Sequence, residues 1–141
     1  MGSGDRFVLD SFALIGYLED EPFAREIEDL LYRAKKNLSR LYLHALHLGE
    51  VYYITLREQG RDLADLAYSR IKSFPIHFIA RIDEELLLTA AALKAKYPIS
   101  YADSYAAALA QITNASLLTG DPEFRRLEED EFLKVSWLSK V

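Results

Sequence analysis

The stretch Phe7-Val8-Leu9-Asp10-Ser11-Phe12-Ala13-Leu14 joins an apolar run to a segment of helical spacing, with an aspartate at the junction. The apolar run is short and indicates a buried first strand. Open α/β sheets bind ligands at the carboxyl ends of their strands, so Asp10 occupies a position suited to a metal ligand. A simpler alternative is a helix cap, because aspartate accepts hydrogen bonds from the free amides of a first helical turn. Position alone leaves both interpretations open.

Short apolar runs and helical segments continue to alternate along the rest of the chain. Four further strands are predicted, at residues 41–43, 76–79, 116–119 and 134–138. The helices between them end at glycine or proline, as at Gly60, Pro75 and Pro98, and Pro22 is expected to open the second one. This alternation predicts an α/β fold with a mostly parallel central sheet of about five strands, covered by helices on both faces.

Length and composition indicate one ordinary domain. The 141 residues are half hydrophobic and 28% charged, which is typical of a globular protein. Residues 1–5 are expected to form a flexible leader and residues 6–141 a single domain. No stretch approaches the roughly 18 apolar residues of a membrane-spanning helix, and the start lacks the apolar core of a signal peptide. A cytoplasmic protein without membrane contact is therefore expected.

The residue inventory restricts the chemistry. The chain has no cysteine, so disulfides, thiolate zinc sites and cysteine nucleophiles are excluded. Its 22 acidic residues far outnumber its three histidines, which favours a hard, oxygen-preferring metal such as Mg2+ or Mn2+. The net charge of −5 and the lack of a long basic run require that any RNA contact be short and anchored by metal.

Two more aspartates stand at predicted strand-to-helix junctions. Asp121 ends Leu117-Leu118-Thr119-Gly120-Asp121, and Pro122 behind it suits the first turn of a helix. Asp103 lies in Ser100-Tyr101-Ala102-Asp103, which resembles a capping box and gains from the helix dipole. Capping is a sufficient structural explanation for each, and each also lies where the edge of a sheet would carry a ligand.

Glu50 is different, because it interrupts an apolar stripe predicted on its helix. That stripe runs through Leu43, Leu46, Glu50, Tyr53 and Ile54. A lone carboxylate facing a core is costly unless it meets a cation or changes its pKa. The alternatives are a side chain that reaches the helix edge or pairs with an arginine such as Arg57. Acids that crowd one sheet edge repel one another, and a divalent metal capable of phosphoryl chemistry removes that conflict.

These segments resemble the PIN-domain family of ribonucleases from about residue 6 to the C-terminus. Besides the opening stretch, the resemblance rests on Gly49-Glu50-Val51, Tyr101-Ala102-Asp103-Ser104-Tyr105-Ala106 and Leu118-Thr119-Gly120-Asp121. Each motif is short, and their order, spacing and placement carry the resemblance together. It implies a PIN-like three-layer fold and a divalent-metal-dependent endoribonuclease that hydrolyses RNA phosphodiester bonds.

The resemblance also implies site residues and partners. The acids that would hold Mg2+ or Mn2+ and act in catalysis are Asp10, Glu50, Asp103 and Asp121. Ser11 and Thr119 match small hydroxyl positions that support such a site. Many small members are VapC toxins of VapBC toxin–antitoxin pairs, so a homodimer and a small antitoxin are expected partners. Aromatic residues favour interfaces, and those that could form one, unless they are core, are Tyr17, Phe23, Tyr32, Tyr52 and Tyr53.

Two features depart from the family pattern. His44 and His47 precede Glu50 where the family often has serine or threonine, and they are interpreted as packed or surface side chains, with contact to a ligand water as the alternative. Few basic residues suit RNA, and the candidates, each a solvated charge by default, are Arg6, Arg40, Arg125 and Arg126.

Other protein classes fit the pattern less well. A haloacid-dehalogenase-like phosphatase needs a second aspartate two residues after the first, and position 12 is Phe12. A receiver domain needs an acidic pair near the end of the first strand, where Asp10 stands alone. The remaining alternative is a PIN-like module for protein binding or RNA processing without strong nuclease activity of its own.

Overall fold

The structure is a computed structural model that describes residues 5–139. Of the leader expected over residues 1–5, all but Asp5 lies outside the described residues, and the Asp5 carboxylate forms an exposed ion pair of 3.4 Å with Arg33. Among the described residues, no helix combines the length and the apolar character needed to cross a membrane.

The centre of the molecule is a five-stranded sheet in which every pairing is parallel. Its strands are β1 (Arg6–Leu9), β2 (Arg40–His44), β3 (His77–Ile79), β4 (Ser116–Thr119) and β5 (Lys134–Trp137). Their spatial order is β3-β2-β1-β4-β5. Both the strands and the parallel sheet expected from the alternating sequence pattern are confirmed.

Within residues 5–139, seven α-helices and one short 3-10 helix connect the strands. The α-helices are α1 (Ser11–Leu18), α2 (Ala24–Lys35), α3 (Ala45–Gln59), α4 (Arg61–Lys72), α5 (Glu84–Lys96), α6 (Tyr101–Thr113) and α7 (Arg125–Glu129). The 3-10 helix spans Pro122–Phe124. Pro22 does not open α2 as expected, because it lies in a turn before the helix begins at Ala24.

Side chains of alternating strand residues divide the core into two layers. Val8 and Leu117 face one layer, which contains α5, α6 and α7, whereas Leu9 and Leu118 face the other, which contains α1 to α4. All four are fully buried. Because successive side chains of a strand point to opposite faces, a strand covered on both sides is apolar at every position. The predicted three-layer α/β fold is confirmed.

The sheet order creates a crevice between β1 and β4. The chain adds β2 and then β3 on one side of β1, and afterwards returns to place β4 and β5 on the other side. The connections leaving β1 and β4 thus diverge at their carboxyl ends, which is where open α/β sheets bind ligands. Asp10 directly follows β1, and Asp121 follows β4 by two residues.

The aromatic residues considered for an interface have different environments. Phe23 is buried in the core, where its ring stacks 5.6 Å from that of Phe12. Tyr32 and Tyr53 are 59% and 48% exposed. Phe23 therefore cannot serve an interface on this fold, whereas the two exposed tyrosines remain available.

Candidate metal centre

Asp10 is held rigidly at the carboxyl end of β1. Its Oδ1 accepts a hydrogen bond of 2.9 Å from the amide of Ala13, so it caps α1, and its Oδ2 accepts one from the hydroxyl of Thr119. The side chain is buried. The pKa of Asp10 is raised to about 7, chiefly by burial; the two hydrogen bonds lower it, and the nearby charges of Asp121 and Glu50 raise it.

Thr119 connects two of the predicted acids through one hydroxyl. While donating to Asp10, this hydroxyl also accepts a hydrogen bond of 3.1 Å from the amide of Asp121. Thr119 is fully buried at the end of β4, next to β1. A buried hydroxyl that both donates and accepts is fully satisfied and fixes the positions of its partners. The side chain therefore sets the spacing between the loops that follow β1 and β4.

Replacing Thr119 by valine should destabilise the protein by about 1–3 kcal/mol, because a carboxylate oxygen and an amide lose their buried hydrogen-bond partner. Thr119→Ser keeps the hydroxyl and should cost clearly less. Thr113→Val is a matched control, since the Thr113 hydroxyl bonds only within its own helix, to Leu109 and Ala110 carbonyls. Urea unfolding of the three variants measures the differences, and equal losses for Thr119→Val and Thr113→Val would contradict the assigned role.

Asp103 lies in the first turn of α6 with its carboxylate partly buried. Ser100 caps this helix by accepting a hydrogen bond of 3.0 Å from the Asp103 amide, so the capping contact uses the backbone of Asp103. The pKa of Asp103 is raised to about 7, chiefly by burial and then by the charges of Asp121, Asp10 and Glu50, in that order. Asp103 thus responds electrostatically to all three of the other predicted acids.

Asp121 caps the 3-10 helix and is accompanied by an acid that the sequence analysis missed. Its Oδ1 accepts a hydrogen bond of 3.0 Å from the amide of Glu123. Carboxylate oxygens of Asp103, Asp121 and Glu123 all lie within 4.8 Å of one another. The signal for Glu123 was its position two residues after Asp121, but only the tight turn brings the two carboxylates to the same side.

Glu50 lies on α3 with a half-buried side chain. The apolar stripe expected around it was wrong, because Leu46 and Tyr53 are exposed and α3 buries a different set, His47, Leu48 and Val51. Burial raises the pKa of Glu50, and a hydrogen bond from the Ser11 hydroxyl opposes that rise. The alternative pairing with Arg57 is also wrong, since that guanidinium lies over the Tyr53 ring, 5.4 Å from its centre.

The donors in this cluster fit a hard divalent cation. Glu50 Oε1 is buried without a hydrogen-bond partner, and a buried polar atom of this kind needs a compensating group. Within residues 5–139, no lysine or arginine forms an ion pair with the four predicted acids. Carboxylate oxygens are the ligands that Mg2+ and Mn2+ prefer. Asp103, Asp121 and Glu123 are close enough to share such an ion, and the charges of Asp10 and Glu50 act on Asp103, so these five residues would hold it.

The two histidines are packed side chains. His44 caps α3 through Nδ1, which accepts from the amide of Leu46 at 3.1 Å, and its Nε2 bonds to the carbonyl of Arg81 at 3.0 Å. His47 is buried and bonds through Nε2 to the carbonyl of Ala102 at 2.8 Å. Burial lowers the pKa of His47 to about 4, so the neutral ring donates to that carbonyl and ties α3 to the turn that carries Asp103.

Two of the arginines considered for RNA binding lie at the end of the sheet opposite to the acids. Arg6 and Arg40 are at the amino ends of β1 and β2, whereas Asp10 and Asp121 follow the carboxyl ends of β1 and β4. They line a separate polar pocket with Asn114. Arg125 follows the 3-10 helix near the acids, and its guanidinium lies over the ring of Trp137, 5.0 Å from its centre.

Comparison with known proteins supports the fold. Residues 7–130 match the family model of the PIN domain. Among solved structures, a chain of VapBC2 from Rickettsia felis, crystallised with promoter DNA, is 16% identical with a TM-score of 0.76, over 95% of this chain and 99% of that one. A chain of VapBC-1 from nontypeable Haemophilus influenzae is 21% identical with a TM-score of 0.68, over 94% and 97%.

The toxin VapC20 from Mycobacterium tuberculosis, described as cleaving the sarcin–ricin loop, is 15% identical with a TM-score of 0.59, over 79% of this chain and 85% of that one. No curated protein matches the sequence. At these identities the solved structures establish a shared fold, while the family model covers most of the chain from β1 to Asp130. On that coverage, and on the parallel sheet with acids at its switch point, the chain belongs to the PIN domain family.

Proposed function

We propose that the protein is a divalent-metal-dependent endoribonuclease in which Mg2+ or Mn2+ is held by Asp10, Glu50, Asp103 and Asp121. The observation that carries this proposal is the grouping of these acids at the β1–β4 crevice without a basic partner among the described residues. Burial, and after it repulsion among the acids, raises the pKa values of Asp10 and Asp103, which is a cost that a structural role alone does not explain.

Each residue contributes a distinct property to the proposed reaction. Thr119 and the Ala13 amide fix the Asp10 carboxylate, so it does not reorganise when a ligand arrives. Ser11 forms a hydrogen bond with Glu50, whose Oε1 has no hydrogen-bond partner. Glu123 adds a fifth carboxylate beside Asp103 and Asp121. A bound divalent ion activates water and stabilises charge on phosphodiester oxygens.

RNA is the proposed substrate. The sequence motifs resemble ribonucleases, and the similar structure of VapC20 is that of a toxin that cleaves the sarcin–ricin loop. The net charge of −5 is compatible with an RNA phosphate that approaches through a bound metal, because the metal reverses the local sign of charge. Arg125 is the basic residue nearest in sequence to the acid-bearing turn and is the one we assign to the RNA backbone.

We also propose a cytoplasmic toxin role, which the same comparisons support. The similar structures from Rickettsia felis and Haemophilus influenzae are VapBC assemblies, and we propose that this chain also forms a homodimer and is inhibited by a small antitoxin. The exposed Leu63 and Leu66 on α4 supply apolar surface for such contacts. Light scattering at high concentration tests the dimer, and a monomer under those conditions would contradict it.

The test is an RNase assay on the purified protein with total RNA, in Mg2+, in Mn2+ and in EDTA. Cleavage is expected with either metal, is expected to stop in EDTA and should return when excess metal is added back. Asp83→Asn is a control that should cleave RNA as the wild type does, because Asp83 caps α5 outside the acidic site and asparagine caps equally well. Cleavage that persists in EDTA would contradict the metal dependence, and no cleavage with either metal would leave the protein-binding alternative.

A further inference from the structure

A second recess opens directly beside the acids. Its volume is about 450 Å³. We call it the tyrosine groove and define it by Gly49, Tyr53, Ile82, Tyr101 and Tyr105. Glu50 lines it as well, and Ala102, which precedes Asp103, forms part of its wall. The groove is therefore continuous with the site proposed for the metal.

Gly49 lies within α3, where glycine weakens a helix relative to alanine. The other glycines of the described chain are required by their surroundings in the fold. A Cβ at Gly16 would lie 2.0 Å from the Phe23 ring, one at Gly120 would lie 2.4 Å from the Phe12 ring, and Gly60 has a φ of 94°. A Cβ at Gly49 would meet nothing within 4 Å. The fold does not require this glycine, which leaves space for a group from outside the chain.

Packing against neighbouring rings holds the aromatic side chains of the groove in place. Tyr101 is 47% exposed, and its ring lies 5.0 Å from the ring of Tyr105, which is buried. Tyr105 in turn lies 6.2 Å from the ring of His44 in the core. A ring supported from behind in this way loses little freedom when a flat ligand stacks on it. Tyr53, also exposed, stands on the same groove.

We propose that the tyrosine groove binds an unpaired nucleobase of the RNA, next to the phosphodiester at the acidic site, an inference that rests on the proposed ribonuclease function. Unpaired RNA bases are commonly held by stacking on aromatic side chains. The groove lining contains no lysine or arginine, and its one charged residue is Glu50. Such a lining repels phosphate and accepts an uncharged flat ring. The RNA would therefore place a base in the groove and the neighbouring phosphate at the acidic site.

The test measures binding rather than cleavage, in Mg2+ and in an Asp103→Asn background that prevents turnover. The probes are a fluorescent pool of random single-stranded RNA dodecamers and an oligonucleotide of equal length without bases. The parent should bind the RNA pool roughly tenfold more tightly than the abasic chain, the scale expected for stacking of one base. Tyr101→Phe should keep this preference, whereas Tyr101→Leu should remove it.

Gly49→Leu provides an independent block, because leucine fills the open space, favours the helix and cannot stack. It too should remove the preference without lowering the Tm. Tyr32→Leu is the control, since Tyr32 is an exposed tyrosine outside the groove.

Equal affinity of the parent for both probes, or no binding of either, would overturn the inference even if the wild type cleaves RNA. A preference that survives Tyr101→Leu would also overturn it, because the bases would then be recognised outside the tyrosine groove. Loss of metal-dependent cleavage by the wild type, with the base preference intact, would instead refute the proposed function alone.

Discussion

Asp103→Asn is expected to lower RNA cleavage by about a thousandfold, on the order of 4 kcal/mol of transition-state stabilisation. The substitution removes one charge from the group formed by Asp103, Asp121 and Glu123, whose oxygens lie within 4.8 Å of one another. It should not unfold the protein. The cap of α6 is the bond from the Asp103 amide to the Ser100 hydroxyl, and asparagine keeps that amide.

Cleavage rate and Tm of this variant should be measured beside those of Asp62→Asn. Asp62 also lies in the first turn of a helix, α4, but its side chain is exposed and away from the acids. Asp62→Asn should leave cleavage unchanged. In metal-free buffer the Asp103 variant should be as stable as the wild type or slightly more so, because repulsion at the site is reduced. Unchanged cleavage by Asp103→Asn would remove Asp103 from the site.

The fold could be predicted from local patterns because each pattern reports one physical constraint. Val8 and Leu9, like Leu117 and Leu118, are adjacent apolar residues, which a strand covered on both faces requires. Proline and glycine marked the helix ends, as Gly60 does with its φ of 94°. The α7 helix left no such pattern, since five residues are too few to show a periodicity.

Capping and site interpretations of the aspartates turned out to be compatible. Asp10 accepts the Ala13 amide with one oxygen and the Thr119 hydroxyl with the other, so a helix cap also orients a carboxylate at the crevice. Asp121 caps the 3-10 helix through Oδ1 and lies beside Asp103. A sequence pattern for capping therefore cannot exclude a ligand role, because both depend on the same strand-to-helix junction.

Long-range placement explains what the sequence analysis missed. Arg6 and Arg40 were considered for RNA, yet they start the parallel strands that the acids follow, and so lie at the opposite edge. Glu50 was placed on a buried stripe, whereas α3 turns a neighbouring face inward. Glu123 gained importance only through the turn at Asp121. Which helix face is covered, and which strand ends meet, depends on packing between distant segments.

The stability of the metal-free protein should fall as the pH rises from about 4 to about 7. The folded-state pKa of Asp10 is raised from 3.8 to about 7, so the folded protein binds a proton that the unfolded chain has released. This contribution is complete below about pH 4 and is lost as the pH rises through about 7, with a limiting slope of about 1.4 kcal/mol per pH unit. Asp103, also raised to about 7, acts in the same direction, but its partial exposure reduces its effect.

Bound metal should reverse that pH dependence, because a divalent ion binds ionised carboxylates and competes with protons. At a concentration about 100 times its Kd, the metal should stabilise the wild type by about 2.7 kcal/mol, a Tm increase of about 8 °C that grows between about pH 5 and about pH 8.

The measurement is a set of melting curves in EDTA and in Mn2+ across this range, for the wild type and for Asp10→Asn. The variant keeps the oxygen that caps the Ala13 amide but has no proton to lose, so its EDTA curve should be flatter and its response to Mn2+ smaller. Parallel curves for the two proteins, with equal shifts in Mn2+, would contradict both the raised pKa of Asp10 and its place in the metal site.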